Sequence, residues 1–113
     1  MKALLDTHTF LWWNTNDRRL SPAARAFITD GRNQVFLSAA SAWEIAIKVA
    51  RGRLDLPSTP DQYVAERLRS NGFSPLPVQI SHALEVYRLP LHHNDPFDRL
   101  LVAQSRLEKL PLL

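Results

Sequence analysis

Four acidic residues stand at positions from which a folded chain can bring them together. Asp6 closes a short apolar run, Glu44 lies in a helical pattern, and Asp95 and Asp98 open the last helical pattern. Carboxylates gathered in one place repel one another unless a cation lies between them, and hard oxygen ligands are those that magnesium prefers. A magnesium ion can orient water and neutralise charge on a phosphoryl group. The acidic residues therefore indicate metal-assisted phosphoryl chemistry.

Each of these residues also has an ordinary structural explanation. Glu44 stands four residues before Lys48, the spacing of a favourable helical ion pair. Asp95 suits a helix cap, and Asp98 suits the first turn, where the helix dipole favours an acid. Asp6 is harder to explain in this way, because a carboxylate that ends a buried strand costs free energy unless it has a partner. Capping the next helix would supply one.

Two threonines flank this first acid. Thr7 and Thr9 follow Asp6 at the predicted end of a strand. Their hydroxyl groups are candidates to hold a water molecule or a phosphate oxygen of the substrate, and the alternative is that they cap the following helix.

The aromatic and histidine side chains receive structural interpretations. Three tryptophans lie on amphipathic helical patterns, so we expect them in the core rather than stacked on bases. They are Trp12, Trp13 and Trp43. His8 and His82 are expected to be hydrogen-bonded structural residues. The pair at positions 92–93 is expected in a solvated loop, since no cysteine or third histidine lies near it to complete a metal site.

The elements that must position these residues alternate along the chain. The strands are predicted over residues 2–5, 34–38 and 110–113, with a short or edge strand within 73–79. The helices are predicted through residues 10–13, over 22–30, from a Ser41–Glu44 capping box to Gly52, between Thr59 and Gly72, over 81–89, and onwards from the Asp95 cap. Alternating strands and helices predict an α/β fold with a mainly parallel sheet, and such sheets bind ligands at the carboxyl ends of their strands.

Composition narrows the class of protein. The 113 residues, 45% of them hydrophobic, suit one compact domain. The absence of cysteine excludes disulfides and thiolate metal sites, so any metal needs oxygen or histidine ligands, which favours magnesium or manganese. No apolar run is long enough to span a membrane or to act as a secretion signal, so we expect a cytoplasmic protein. The net charge of +3 is compatible with a polyanionic partner and equally with ordinary solvated surface.

Three blocks of sequence resemble the PIN-domain ribonuclease toxins of VapC type. The first is LLDTHTFLWW at 4–13, and the second is SAASAWEIAIK at 38–48 with GRLDLP at 52–57. The third is LPLHHNDPFDRLL at 89–101. The similarity extends over essentially the whole chain, and the order of the three blocks makes it specific.

The resemblance implies a fold, an activity and a set of site residues. The fold would be an α/β/α sandwich with a mainly parallel central sheet, and the activity would be cleavage of single-stranded RNA by acids that bind magnesium or manganese. Asp6 matches the family's first acid, Glu44 the second and Asp98 the third. Asp95 belongs to the same motif as an auxiliary ligand or helix cap. Arg99, directly after the third acid, is a candidate substrate contact.

The resemblance also implies features beyond these residues. The family's fourth acid usually follows the last strand in a Thr-x-Asp segment, whereas this chain stops at Leu113. We therefore expect residues 1–113 to form a single PIN-like domain that lacks its C-terminal segment, with weakened metal binding. The expected partners are single-stranded RNA, a small DNA-binding antitoxin and a second copy of the chain in a homodimer.

Two other functions compete with this interpretation. An aspartyl phosphohydrolase of the haloacid dehalogenase type would use Asp6 as a nucleophile, but such enzymes usually carry a second acid two residues later, where this chain has His8. The other is an RNA-binding or catalytically impaired PIN-like module, in which the acids are structural. Magnesium-dependent cleavage of RNA separates these possibilities.

Overall fold

A computed structural model describes residues 1–90 and 95–113 of the chain. Within these residues, strands and helices alternate as the sequence predicts. The strands are β1 (Lys2–Leu4), β2 (Gln34–Ser38) and β3 (Ser74–Leu76). The helices are α1 (Thr7–Asn14), α2 (Pro22–Thr29), α3 (Ala39–Ala50), α4 (Pro60–Asn71), α5 (Ile80–Glu85) and α6 (Pro96–Glu108), with a 3₁₀ turn at Val86–Arg88.

The sheet is parallel throughout its named strands. β2 lies between β1 and β3 and pairs in parallel with both. On the other side of β1, Leu112 forms a parallel bridge with Leu4, and the Asp6 amide donates to the Leu113 carbonyl at 2.8 Å. The strand predicted to start within residues 110–113 is present only as this bridge, and β1 has backbone partners on both sides.

Successive side chains of the strands pack on opposite faces of the sheet, because side chains alternate along a strand. One core contains Leu5, Phe10, Ile28, Val35, Leu37, Ile45, Tyr63 and Phe73, and so joins the sheet to α1–α4. The other contains Leu4, Ala40, Leu101 and Leu110, with Phe36 and Leu76 packed against it, and so joins the opposite face to α6. The predicted α/β/α sandwich is confirmed.

Helix α3 begins earlier than the sequence pattern predicts. Its cap is Ser38, the last residue of β2, whose hydroxyl accepts from the Ala40 amide at 2.9 Å. Ser41 lies inside the helix and is fully buried, so the predicted Ser41–Glu44 capping box is wrong. The physical reason is that β2 runs directly into the helix, and its extended last residue is already in the conformation that a cap requires.

Other element boundaries follow the local signals closely. Helix α2 begins at Pro22 after the Ser21 cap, whose hydroxyl accepts from the Ala24 amide. The short strand predicted within 73–79 is β3, an edge strand, and a sheet edge is where Pro75 can be accommodated. The helix predicted over 81–89 is divided between α5 and the 3₁₀ turn that follows it.

The aromatic and histidine predictions have mixed outcomes. Trp43 is 60% exposed, so its predicted place in the core is wrong, whereas Trp12 and Trp13 are half-buried. His82 is buried, and its Nδ1 accepts from the Gln79 amide at 3.0 Å, as expected for a structural histidine. The pair at 92–93 lies outside the described residues. Of the helices that the structure describes, none has the length and apolar character needed to cross a bilayer.

Candidate active site

Asp6 lies between the carboxyl end of β1 and the start of α1. Its backbone is extended, and Oδ2 accepts from the His8 amide at 2.9 Å, so this residue caps α1. The His8 ring lies above the same oxygen, with Nδ1 3.5 Å from Oδ2. The side chain of Asp6 keeps 30% of its surface exposed. The cap explains how the fold tolerates a carboxylate here, and the exposed remainder of the group is available to a ligand.

Glu44 is the most deeply buried of the candidate acids. It lies in the second turn of α3, with 3% of its side chain exposed. Lys48, one turn further on, donates from Nζ to Oε2 at 2.7 Å, which confirms the predicted ion pair. The other oxygen, Oε1, is buried and has no hydrogen-bond partner among residues 1–90 and 95–113. A buried carboxylate oxygen without a partner costs free energy that a structural side chain would ordinarily avoid.

Asp95 and Asp98 lie at the start of α6. Asp95 is the cap predicted from the sequence, since its Oδ1 accepts from the Phe97 amide at 2.9 Å and the Asp98 amide at 3.4 Å. Pro96 occupies the first turn. Asp98 is the acid in that turn.

The charges of the four acids act on one another. The pKa of Asp98 is raised above its usual value, first by partial burial and then by the negative charges of Asp95, Asp6 and Glu44, while the charge of His8 acts in the opposite direction. The cap of α1, the second turn of α3 and the start of α6 are therefore close enough for their acids to interact electrostatically. Across residues 1–90 and 95–113, no three acidic or histidine side chains lie close enough to hold a metal ion as they stand.

The two threonines are committed to internal hydrogen bonds. Thr7 is buried, and its hydroxyl donates to Ser41 Oγ at 2.9 Å. Thr9 is also buried and donates to the Leu113 carbonyl at 2.9 Å. Neither hydroxyl caps α1, because Asp6 does so. Their predicted contact with substrate stays a prediction, and what the structure assigns to them is the placement of α1 against α3 and the chain end.

Ser41 is the site residue that the sequence interpretation missed. It links α3 to α1 through Thr7, and so fixes the relative position of the helices that carry Glu44 and Asp6. The sequence shows Ser41 on the same helical pattern as Glu44, but the spacing of the two residues is that of a capping box. Only the tertiary contact distinguishes the two roles.

Arg99 is turned toward the backbone before α6. Its guanidinium donates to the Pro90 carbonyl at 2.8 Å and to the Val86 carbonyl at 2.9 Å. These bonds tie the start of α6 to the 3₁₀ turn at Val86–Arg88. A direct contact between Arg99 and substrate stays a prediction.

The donor set can be tested for its fit to a metal. The candidate ligands are carboxylate oxygens, the class that magnesium and manganese prefer. Glu44 Oε1 is buried without a partner, and a cation would supply the missing interaction. The negative charges around Asp98 would also be neutralised by a cation. The donor types therefore suit a hard divalent ion, which Asp6, Glu44 and Asp98 would hold.

Comparison with known proteins identifies the family. The model of the PIN domain family matches residues 3–113. Ribonuclease VapC16 of Mycobacterium tuberculosis is 50% identical over 58 residues, which cover 51% of this chain and 41% of that protein. Ribonuclease VapC22 of the same organism is 33% identical over 107 residues, which cover 90% of this chain and 77% of that protein. The chain therefore belongs to the PIN-domain family, as a member of VapC type.

Proposed function

We propose that this chain is a magnesium-dependent or manganese-dependent endoribonuclease that cleaves single-stranded RNA as the toxin of a toxin-antitoxin pair. Two similar proteins carry the name ribonuclease, which supports the reaction class. The choice of metal and of single-stranded substrate is supported by the chemistry of the acidic residues and by the resemblance of the three sequence blocks.

One observation carries the proposal. Glu44 is 2% exposed, and among the residues that the structure describes it has a single ion-pair partner, Lys48, and none at Oε1. Partial burial and then the negative charges of Asp95, Asp6 and Glu44 raise the pKa of Asp98, so Glu44 lies near other acids. An acid with a purely structural role would be expected to accept a hydrogen bond at each buried oxygen, because a buried polar atom without a partner costs on the order of 1–3 kcal/mol.

In this proposal, the acidic residues and Thr7 have different roles in holding the cation. Asp6, Glu44 and Asp98 would hold the cation, with Asp95 fixing the start of α6 or serving as an auxiliary ligand. A bound divalent cation supplies Lewis-acid polarisation of the phosphoryl group and activation of water. Thr7 would act through Ser41 to hold α1 and α3 at a fixed separation.

The proposed partners follow from the same family membership. We propose a small DNA-binding antitoxin that covers the acidic site, and a homodimer of the toxin. An antitoxin side chain of positive charge would complement the four acids, since like charges gathered around Asp98 favour a cationic neighbour.

The test is cleavage of a mixed-sequence single-stranded RNA, labelled at one end, with magnesium and with excess chelator. We expect product only with the metal, and loss of product on Asp6→Asn. Asp61→Asn is the matched control, because Asp61 is also an acid near a helix start but is exposed at the first turn of α4. Equal cleavage by folded Asp6→Asn and Asp61→Asn proteins would refute the proposal.

An RNA-binding module without catalysis is the second candidate function. The ion pair between Glu44 and Lys48 favours it, because such a pair is what a structural acid would form. This function predicts that the RNA is bound but remains intact at every magnesium concentration, and that Asp6→Asn strengthens binding by removing a negative charge.

A further inference from the structure

A cleft of about 450 Å³ opens beside the candidate active site, between α1 and the loop that follows α3. Its lining residues are His8, Leu11, Trp12, Thr15, Asp17, Arg19, Lys48, Arg53, Leu54, Asp55, Leu56, Pro57 and Tyr63. Much of the GRLDLP block at 52–57 is in this cleft, although that block contributes no acid to the proposed metal site.

Two lining residues connect the cleft to the acids. His8 Nδ1 is 3.5 Å from Asp6 Oδ2, and Lys48 Nζ is 2.7 Å from Glu44 Oε2. The cleft and the acidic region therefore share a wall. A polymer bound at the acids can continue into the cleft without leaving the protein surface.

The cleft is lined by three side chains that carry a positive charge at neutral pH, and they differ in whether an acid is paired with them. Arg19 forms a two-pronged pair with Asp17, at 3.1 and 2.7 Å, which lowers the pKa of Asp17 to about 2. Lys48 is paired with Glu44. Arg53 is exposed and forms no ion pair or side-chain hydrogen bond with any residue that the structure describes. It is the cation of the cleft whose charge is uncommitted.

The backbone holds Arg53 in place. Gly52, with φ of 68°, ends α3 in the left-handed conformation. Its amide donates to the Val49 carbonyl at 3.0 Å, and the Arg53 amide donates to the Lys48 carbonyl at 2.8 Å. This pair of bonds is the Schellman arrangement, which stops a helix at a fixed residue. The turn directs residue 53 into the cleft, whereas Arg51, the helix cap two residues earlier, does not line it.

The rest of the lining suits one nucleotide. The volume lies within the range of small-molecule sites, roughly 300–1,000 Å³, and apolar side chains form much of the wall. Trp12 carries the Arg19 guanidinium over its ring at 5.2 Å. Asp55 also lines the cleft, so the site offers room for one phosphate at Arg53 rather than for a run of phosphates.

We propose that this cleft is a nucleotide subsite of the RNA substrate, in which Arg53 binds a backbone phosphate that flanks the one being cut. The inference rests on the proposed ribonuclease function and adds to it a specific contact. Arginine is suited to this role because its planar fork of donors matches two phosphate oxygens.

The test compares Arg53→Ala with Arg51→Ala, two exposed arginines of equal charge. KM and kcat are measured on the single-stranded RNA substrate over a range of salt concentrations, and binding of the same RNA is followed by fluorescence anisotropy in the Asp6→Asn background. Arg53→Ala should raise KM about tenfold at low salt with kcat within about twofold, and should reduce the salt slope of binding by about one. Arg51→Ala should match the parent protein, and Arg53→Lys should be intermediate.

Equal KM and equal salt slope for the two alanine variants would overturn the inference. So would an Arg53→Ala protein that binds RNA normally but loses affinity for a partner protein. If the unmodified chain cleaves no RNA, the proposed function fails, while the anisotropy arm still decides whether Arg53 contacts RNA.

Discussion

Two buried glutamates differ in how fully their carboxylate oxygens are paired with cations. Glu85, at the end of α5, is 7% exposed, and each of its oxygens has a cation: Arg88 at 2.9 Å and Arg106 at 3.8 Å. Glu44 is 2% exposed and, within the described part of the chain, has one cation for two oxygens. The first is satisfied as the chain stands, and the second is not. The comparison supports the proposal that the acidic end of the sheet leaves an interaction for a ligand to complete.

The same contrast holds for two aspartates. Arg19 donates to Asp17 through its side chain and its backbone, and the pKa of that carboxyl group falls to about 2. The pKa of Asp98 is raised, because burial and three neighbouring acids disfavour its charge. Asp17 is thus stabilised as an anion by Arg19, whereas Asp98 is disfavoured as an anion by burial and by its acidic neighbours.

The largest expected effect is a difference in RNA cleavage between variants of the two glutamates. Glu44→Gln should lower magnesium-dependent RNA cleavage by about 100-fold or more, because it removes a charged ligand from the proposed cation site. Glu85→Gln should stay within about threefold of the parent, since its charge serves only the α5–α6 ion pairs. The measurement is kcat/KM for both variants on one RNA. Similar losses in both would remove the distinction between a functional and a structural buried acid.

A smaller effect is expected on the free energy of unfolding in the absence of metal, and here Glu85→Gln should be the more damaging change. Glu44→Gln should leave the free energy of unfolding unchanged or raise it by up to about 1 kcal/mol, because relief of like-charge repulsion offsets the lost ion pair. Glu85→Gln should lower it by about 1 kcal/mol, an estimate kept small because both arginines are more than half exposed. Urea unfolding in chelator checks both values, and a large destabilisation by Glu44→Gln would make that residue structural.

The smallest effect is a difference in pH dependence. For Asp98 the pKa is higher in the folded chain, so the folded state binds more protons and stability falls as pH rises from the usual aspartate value through the raised one. For Asp17 the pKa is lower in the folded chain, so its contribution is present above the usual value and is lost as pH falls toward about 2.

Asp98→Asn and Asp17→Asn should therefore change the pH profile of metal-free stability in opposite directions. As pH falls, the free energy of unfolding of the parent should lose its excess over that of Asp17→Asn. Over the same range, the parent should lose its deficit relative to Asp98→Asn. Unfolding free energies between about pH 2 and pH 6 decide this, and two differences of the same sign would contradict the contrast between the aspartates.

The sequence predicts most of the fold, because its signals are local. Asp95 followed by Pro96 marks the start of α6 through cap chemistry alone, and short apolar runs place the strands. The start of α3 was misjudged, because Ser38 and Ser41 are both plausible caps and only the contact of Ser41 with Thr7 separates them. Trp43 was misplaced for a similar reason, since helical periodicity does not show which face lies outside the core.

The candidate site was less accessible to sequence reasoning. The position of Asp6 after a buried strand indicates a functional acid, whereas Glu44 has an adequate structural explanation and only the resemblance to the family points to a role in the site. Its unsatisfied oxygen depends on burial by distant parts of the chain. The cleft at Arg53 was not predicted, because it is created by the turn at Gly52 and its packing beside α1.

The most direct test of the central claim is a calorimetric titration of magnesium into the unmodified chain, Glu44→Gln and Glu85→Gln. The claim is that the acids at the carboxyl end of the sheet form a cation site with Glu44 as one of its ligands. It predicts binding by the unmodified chain and by Glu85→Gln with the same affinity, and at least about tenfold weaker binding by Glu44→Gln. Equal magnesium affinity in Glu44→Gln and the unmodified chain would contradict it.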